Sequence, residues 1–272
     1  MKYYLDTEFI EGTQKQSTLS KLFGKSKPTI ELISIGIVSQ EGKEYYAISR
    51  DFNLKEAWNR YQLEEDNTVG ARIGCLPTQK KVYWIRENVL KPIWIELTLK
   101  EESSPLSIAI ELRSEISIAG TVKKHFTYKN LKYLINKYGK SNAQIAEEIK
   151  VFCYNGYWLD PKEVNSEYRS LKDCVNIEFY AYYADYDWVA FCWLFGKMTN
   201  LPEGFPMYCK DLKQEWDFVA EHLNTENNYF TLKQWVKMVK ETHPDYPKQI
   251  NEHNALGDAK WNKKLHEFLN SL

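Results

Sequence analysis

Two acids separated by a single residue, Asp6 and Glu8, interrupt an otherwise apolar opening stretch, "YYLDTEFIE" at residues 3–11. Alternate side chains of a strand share a face, so Asp6 and Glu8 point one way while Leu5, Thr7 and Phe9 point the other. Carboxylates gathered on one face of a core strand repel each other and are costly to remove from water. A bound divalent cation offsets that cost, because carboxylate oxygens are natural ligands of Mg²⁺ and Mn²⁺. The bland alternative is an edge strand with both acids solvated. A second acidic site lies in "ADYDWVAF" at 184–191, where Asp187 stands at a strand-to-helix junction. Open α/β sheets place ligands at such junctions, and helix capping is the competing use of the aspartate. Asp185 is a further cap or ligand candidate. The third lies in "HNALGDAKW" at 253–261. On one continuous helix His253 and Asp258 would point about 140° apart. They converge if His253 belongs to the loop before the helix and Asp258 lies one turn into it.

Strands that could carry these groups run over 2–9, 30–39 and 44–52. The last two are joined by the turn "QEGK" (40–43), which makes them an antiparallel hairpin. "KKVYWIRENVLKPIW" (80–94) has helical spacing at Val82, Ile85, Val89 and Leu90, with Pro92 as its end. "SNAQIAEEIKVFCY" (141–154) opens with the capping box Ser141-x-x-Gln144 and aligns Ile145, Ile149 and Phe152. A strand over 177–187 feeds a buried helix ended by Gly196. A short strand over 206–209 and helices over 211–221, 231–239 and 253–269 complete the pattern, a mixed α/β sheet with helices on its faces. Two stretches read as insertions. Residues 13–28 carry Lys15, Lys21, Lys25 and Lys27 and no acid, and 97–124 alternates like a small β-hairpin.

Composition narrows the function classes. The 272 residues are 43% hydrophobic and 27% charged, the balance of a folded protein able to bury a large core. A net charge of −1 provides no global field for a polyanion, although a cleft that holds a few nucleotides needs none. The 19 Tyr and 9 Trp belong mainly to the core, with base stacking as the second use of such rings. The five cysteines, Cys75, Cys153, Cys174, Cys192 and Cys209, form no C-x-x-C pair, which argues against zinc and for a reducing compartment. The acids at 6 and 8 break any signal-peptide core, and the longest apolar run, 188–195, is too short to span a membrane. A soluble, cytoplasmic protein with no membrane partner is the expectation.

The order of these sites resembles the DEDD superfamily of 3′-5′ exonucleases in its histidine-containing branch, DEDDh. Its Asp-x-Glu motif is matched by Asp6-Thr7-Glu8, its aromatic-Asp by Tyr186-Asp187, and its His-x4-Asp by His253 and Asp258. Within the branch the chain looks most like the bacterial exoribonucleases of the RNase AS type, which trim adenylate-rich RNA. That likeness rests on "YxDTEFIE" (4–11), "IELISIGIV" (30–38), "EYYA" (44–47), "YDWVA" with "LFGKMTNLP" (186–202) and the closing His-x-Ala-x-x-Asp. It implies an RNase H-like fold: a five-stranded mixed sheet, its first three strands antiparallel and its fourth parallel to the first. It further implies one domain over 1–272, with insertions near 12–28, 95–130 and 155–175.

The resemblance also implies chemistry. Two Mg²⁺ ions, with Mn²⁺ as a substitute, would clamp the attacking water and the leaving 3′-oxygen about 3.5–4 Å apart. Asp6 would bridge them, Glu8 and Asp258 would complete the first site, and Asp187 would serve the second. His253 would be the general base. The substrate would be single-stranded RNA or a 3′ overhang, released as nucleoside 5′-monophosphates. Thr7 and Phe9 would line the terminal nucleotide, with Phe9 or Ile10 wedged against its base and Tyr186 beside them. Independently of the resemblance, the insert lysines are candidates for upstream phosphates, with a solvated insert as the equal alternative. Family members also form homodimers in which one subunit's edge completes the other's cleft. Two alternatives stand: the same chemistry on DNA, since only 2′-hydroxyl contacts separate the substrates, and a catalytically silent RNase H-like binding module.

Overall fold

The computed structural model describes residues 1–13, 28–66, 78–102, 125–154, 176–224, 231–250 and 252–272. In chain order the elements begin with β1 (Lys2–Thr13), β2 (Pro28–Ser39), β3 (Glu44–Ile48), α1 (Leu54–Asn59), β4 (Gln62–Asp66) and β5 (Thr78–Val82). Then come α2 (Lys91–Glu102), α3 (Tyr128–Tyr138), α4 (Asn142–Tyr154), β6 (Glu178–Ala181) and α5 (Ala184–Leu194). The chain closes with β7 (Lys210–Asp211), α6 (Leu212–Asn224), α7 (Leu232–Thr242) and α8 (Ala255–Leu269). Two units result, one from Met1–Asp51 with Lys140–Leu272 and one from Phe52–Gly139.

The first unit is built on a five-stranded sheet of order β3-β2-β1-β6-β7. β1 and β2 are antiparallel, as are β2 and β3, while β6 runs parallel to β1 and β7 parallel to β6. The alternation of β1 sorts its side chains between two cores. Tyr3 and Leu5 pack with Leu32, Ile35 and Ile37 of β2 and with Ile145, Ile149, Trp188 and Phe191 of α4 and α5. Tyr4 packs on the other face with Trp216, Trp235, Trp261 and Leu265 of α6, α7 and α8. Asp6 and Glu8 continue the Tyr4 face. The first half of the capping box forms, with the Gln144 N–H donating to Ser141 Oγ at 3.2 Å, but the Gln144 side chain turns to Glu148 instead.

Two features of this unit shape the surroundings of Asp6 and Glu8. β6 pairs with β1 only at Lys2, Tyr3 and Tyr4, so beyond Tyr4 that edge of β1 has no strand beside it among the described residues. The strand expected over 177–187 stops at Ala181, because Tyr183 takes a left-handed turn (φ 57°) and α5 begins at Ala184. The second feature is Gly36, opposite Asp6 in the β1–β2 register. A Cβ there would lie 2.3 Å from the Ala255 carbonyl oxygen, so glycine admits the first turn of α8 onto the sheet.

The second unit holds the antiparallel ribbon β4–β5, together with α1, α2 and α3. An aromatic cluster of Trp58, Trp94 and Phe126 joins its helices. Arg86 lies over the Trp58 ring and donates to the Trp58 carbonyl. The helix expected over 80–94 starts only at Trp84, after strand β5, and passes through a π-turn at Arg86–Leu90 into α2. Pro92 therefore lies inside a continuous helical run rather than ending one. The wider turn just before it, in which the Lys91 N–H reaches back to the Arg86 carbonyl, is the local irregularity that accommodates a proline within a helix.

Three boundaries also shift. The 44–52 strand ends at Ile48, where Ser49 leaves for a bridge to Lys140. The strand expected at 206–209 forms at Lys210–Asp211. Residues 97–102 are helical, so the hairpin expected over 97–124 does not begin there, and 103–124 lie outside the described residues. The lysines of the 13–28 insert lie outside them as well. No helix among the described residues is long and apolar enough to cross a membrane.

Candidate functional site

The unpaired edge of β1 is where the acids meet. Peptide groups of alternate residues face alternate edges of a strand, and those facing β6 beyond Tyr4 must find other partners. The Leu5 carbonyl accepts from Asn262 Nδ2 of α8 at 2.9 Å. The Thr7 N–H donates to Asp187 Oδ1 of α5 at 2.9 Å, and the Thr7 hydroxyl donates to the same oxygen at 2.6 Å. Asp187 thus comes from the face opposite Asp6 and Glu8 and reaches the strand's open edge. It sits in the first turn of α5, and the turn before it is held by Asp211, whose carboxylate accepts from the Tyr183 and Ala184 N–H groups.

Asp258 arrives on the other side. His253 lies in the lead-in loop at a left-handed φ of 65°, Asn254 caps α8 by accepting from the Gly257 N–H, and Asp258 falls in the first turn. Both carboxylate oxygens are held: Gln249 Nε2 donates to Oδ1 at 2.6 Å and the His253 N–H to Oδ2 at 2.8 Å. Ligand oxygens of Asp6, Glu8 and Asp258 come within 4.8 Å of one another.

No lysine or arginine forms an ion pair with Asp6, Glu8, Asp187 or Asp258 among the described residues. Their titration records that imbalance. Burial, then Asp187, Glu8 and Asp258, hold the Asp6 carboxyl well above the usual carboxylate range. Burial and the charges of Asp258 and Asp187 push Glu8 up to about 8. Burial lifts Asp187 to about 7 against the opposing pull of its two Thr7 hydrogen bonds. Asp258 is also raised, chiefly by burial. An uncompensated carboxylate set of this kind, partly fixed by outer hydrogen bonds, fits the oxygen-ligand chemistry of Mg²⁺ or Mn²⁺.

The structure therefore brings Asp6, Glu8 and Asp258 together, with Asp187 adjoining them electrostatically and His253 bonded to Asp258 through its backbone. Asp185 is exposed. Phe9 and Tyr186 stack at 5.5 Å with an interplanar angle of 12°, half of Tyr186 remaining open to solvent. Ile10 is only 1% exposed and belongs to the core. The Thr7 N–H, expected to line a nucleotide, is committed to Asp187. Sequence reasoning passed over Gly36, Asp211, Gln249 and Asn262. A lone glycine inside a strand was the one available signal, since it marks a close backbone approach.

No family model matches the chain. It is similar to the 3′-5′ exoribonuclease Rv2179c of Mycobacterium tuberculosis, with 25% identity over 217 residues, covering 80% of this chain and 74% of the relative. The 3′-5′ exoribonuclease MT2234.1 from a second strain of that organism matches to the same extent.

Proposed function

We propose that this protein is a metal-dependent 3′-5′ exoribonuclease of the DEDDh kind, releasing nucleoside 5′-monophosphates from the 3′ end of single-stranded RNA. The observation that carries the reading is the convergence of Asp6, Glu8 and Asp258 within 4.8 Å, with no cationic side chain paired to them among the described residues. The similarity to two exoribonucleases over four-fifths of the chain supports it.

Asp6, Glu8 and Asp258 would hold one divalent cation, and Asp6 with Asp187 a second. Bound there, Mg²⁺ or Mn²⁺ supplies Lewis acidity and neutralises charge on a phosphodiester. The protein's part is positioning. Gln249 and the His253 backbone aim Asp258, and Thr7 fixes which oxygen of Asp187 is spent, leaving Oδ2 for the cleft. The His253 ring, on the loop beside Asp258, accepts the proton of the attacking water. The Phe9–Tyr186 stack offers a ring surface for the terminal base, a role closed to the buried Ile10.

The test uses 5′-labelled RNA and DNA of one sequence, incubated with Mg²⁺, Mn²⁺ or EDTA beside an Asp6→Asn control. A ladder shortening from the 3′ end, faster on RNA and absent in EDTA and in the variant, is expected. Faster shortening of DNA would make the protein a deoxyribonuclease, and no ladder from folded protein would overturn the enzymatic reading.

A further inference from the structure

Next to the carboxylates, the Tyr4 side of the sheet carries a hollow of about 380 Å³. Four segments wall it: Tyr182 after β6, Lys240 in the last turn of α7, residues 246–249 of the α7–α8 connection, and Trp261 of α8. The walls are braced. Trp261 Nε1 donates to the Pro247 carbonyl at 3.0 Å, and its ring meets Tyr182 edge-on at 5.1 Å. Tyr246 meets Phe268 edge-on at 5.5 Å. A volume near the lower end of the small-molecule range, about 300–1,000 Å³, is thus kept open by fixed rings.

Charge decides what such a hollow accepts. Lys240 and Lys248 line it, and neither makes an ion pair among the described residues. Lys240 stands 6.0 Å over the Tyr182 ring. Its acidic neighbour Asp217 is already paired with Lys213. Burial and Lys213 pull the Lys240 ammonium below its usual range, against the opposing charge of Asp217. Glu252 adds one carboxylate to the rim, an acceptor for hydroxyl or amino groups. Two unpaired cations beside half-buried aromatic rings suit a ligand with a flat ring and an anionic group.

We propose that this hollow is a nucleotide subsite, which takes a nucleoside 5′-phosphate unit with its base against Tyr182 and Tyr246 and its phosphate held by Lys240 and Lys248. The unit comes either from the bound strand or from the released product, and on this point the inference rests on the exonuclease reading. Gln249 joins the two sites, since it lines the hollow and donates to Asp258. A nucleotide seated there therefore bears on the side chain that aims a carboxylate of the cluster.

Binding is measured in EDTA, where no turnover occurs, by equilibrium dialysis of labelled adenosine 5′-monophosphate and of a labelled five-residue oligoadenylate. Lys240→Met with Lys248→Met, both at exposed positions, removes the charges while keeping the stems, and melting temperature checks the fold. The monophosphate is expected to bind saturably, and the double variant to bind it about tenfold more weakly, the loss expected of charge-assisted contacts. Tight binding of the monophosphate identifies product as the source. Binding of the oligonucleotide alone, lost in the same variant, identifies the strand. Unchanged binding of both in the folded variant, or binding of neither to the wild type, overturns the subsite. If no ladder is produced but binding shows this lysine dependence, the exonuclease reading fails and the subsite stands. A ladder with lysine-independent binding removes the subsite alone.

Discussion

Replacing Gly36 with alanine tests whether the approach of α8 to β2 places the clustered carboxylates. The new Cβ would stand 2.3 Å from the Ala255 oxygen and 2.4 Å from the Ala255 carbon and the Leu256 nitrogen, all backbone atoms. Ordinary contact begins at 3.4 Å, so the first turn of α8 must retreat by about 1 Å. Asp258 lies in that turn and would withdraw from Asp6 and Glu8, which β1 holds in place. A displacement of about 1 Å at a reacting site costs about a hundredfold in rate. The overpacking itself costs about 1–3 kcal/mol, a fall of about 2–10 °C in Tm for a protein of this size. Turnover of labelled RNA and thermal melting, measured on the same preparations, read the two effects separately. Wild-type turnover in a folded Gly36→Ala protein would refute the claim that this close approach sets the cluster's geometry.

Other outcomes follow from the same contacts. In EDTA, Glu8 and Asp187 titrate near 8 and 7, above their ordinary 4.5 and 3.8. The folded state then holds protons that the unfolded chain has lost, so metal-free stability is greatest below about pH 4 and falls as pH rises toward about 8. Melting scans in EDTA should show that decline, and Asp6→Asn should lessen it by removing one repelling charge. A pH-independent Tm would argue against the mutual repulsion. Thr7→Val keeps the backbone bond to Asp187 but removes the 2.6 Å hydroxyl bond, and should weaken divalent-ion affinity about tenfold. Unaltered affinity by calorimetry would leave the hydroxyl without a positioning role. Asn262→Leu strips the partner from the Leu5 carbonyl in a position 1% exposed, and should cost about 1–3 kcal/mol in urea unfolding. No loss would mean that this carbonyl finds another donor.

How far the site was legible depended on the range of the forces that build it. Asp6 and Glu8 share a face through the two-residue period of a strand, a local rule readable from the opening stretch alone. His253 and Asp258 were placed by helix geometry, with the histidine in the lead-in loop and the aspartate in the first turn. Asp187 was recognised as a junction residue, but its clasp by Thr7 was not. That clasp exists because β6 abandons the edge of β1 after Tyr4, a long-range event with no local signature. The same gap explains Asn262, which covers a carbonyl that a longer β6 would have taken. Among the elements, Pro92 does not end its helix, because a π-turn directly before it lets the helical run from Trp84 continue past the proline. The segment over 78–82 reads as a strand only through its pairing with β4, which lies across residues outside the local window.

The central claim is that the acids of β1, α5 and α8 form a seat for divalent cations. It is tested most directly by titrating metal-free protein with Mn²⁺ and counting free ion by electron paramagnetic resonance, for the wild type and for Asp6→Asn. The account predicts saturable binding to the wild type and a loss of at least about tenfold in affinity in the variant, since Asp6 adjoins every other acid of the set. Equal Mn²⁺ binding by the two proteins, or none by either while both remain folded, would contradict it.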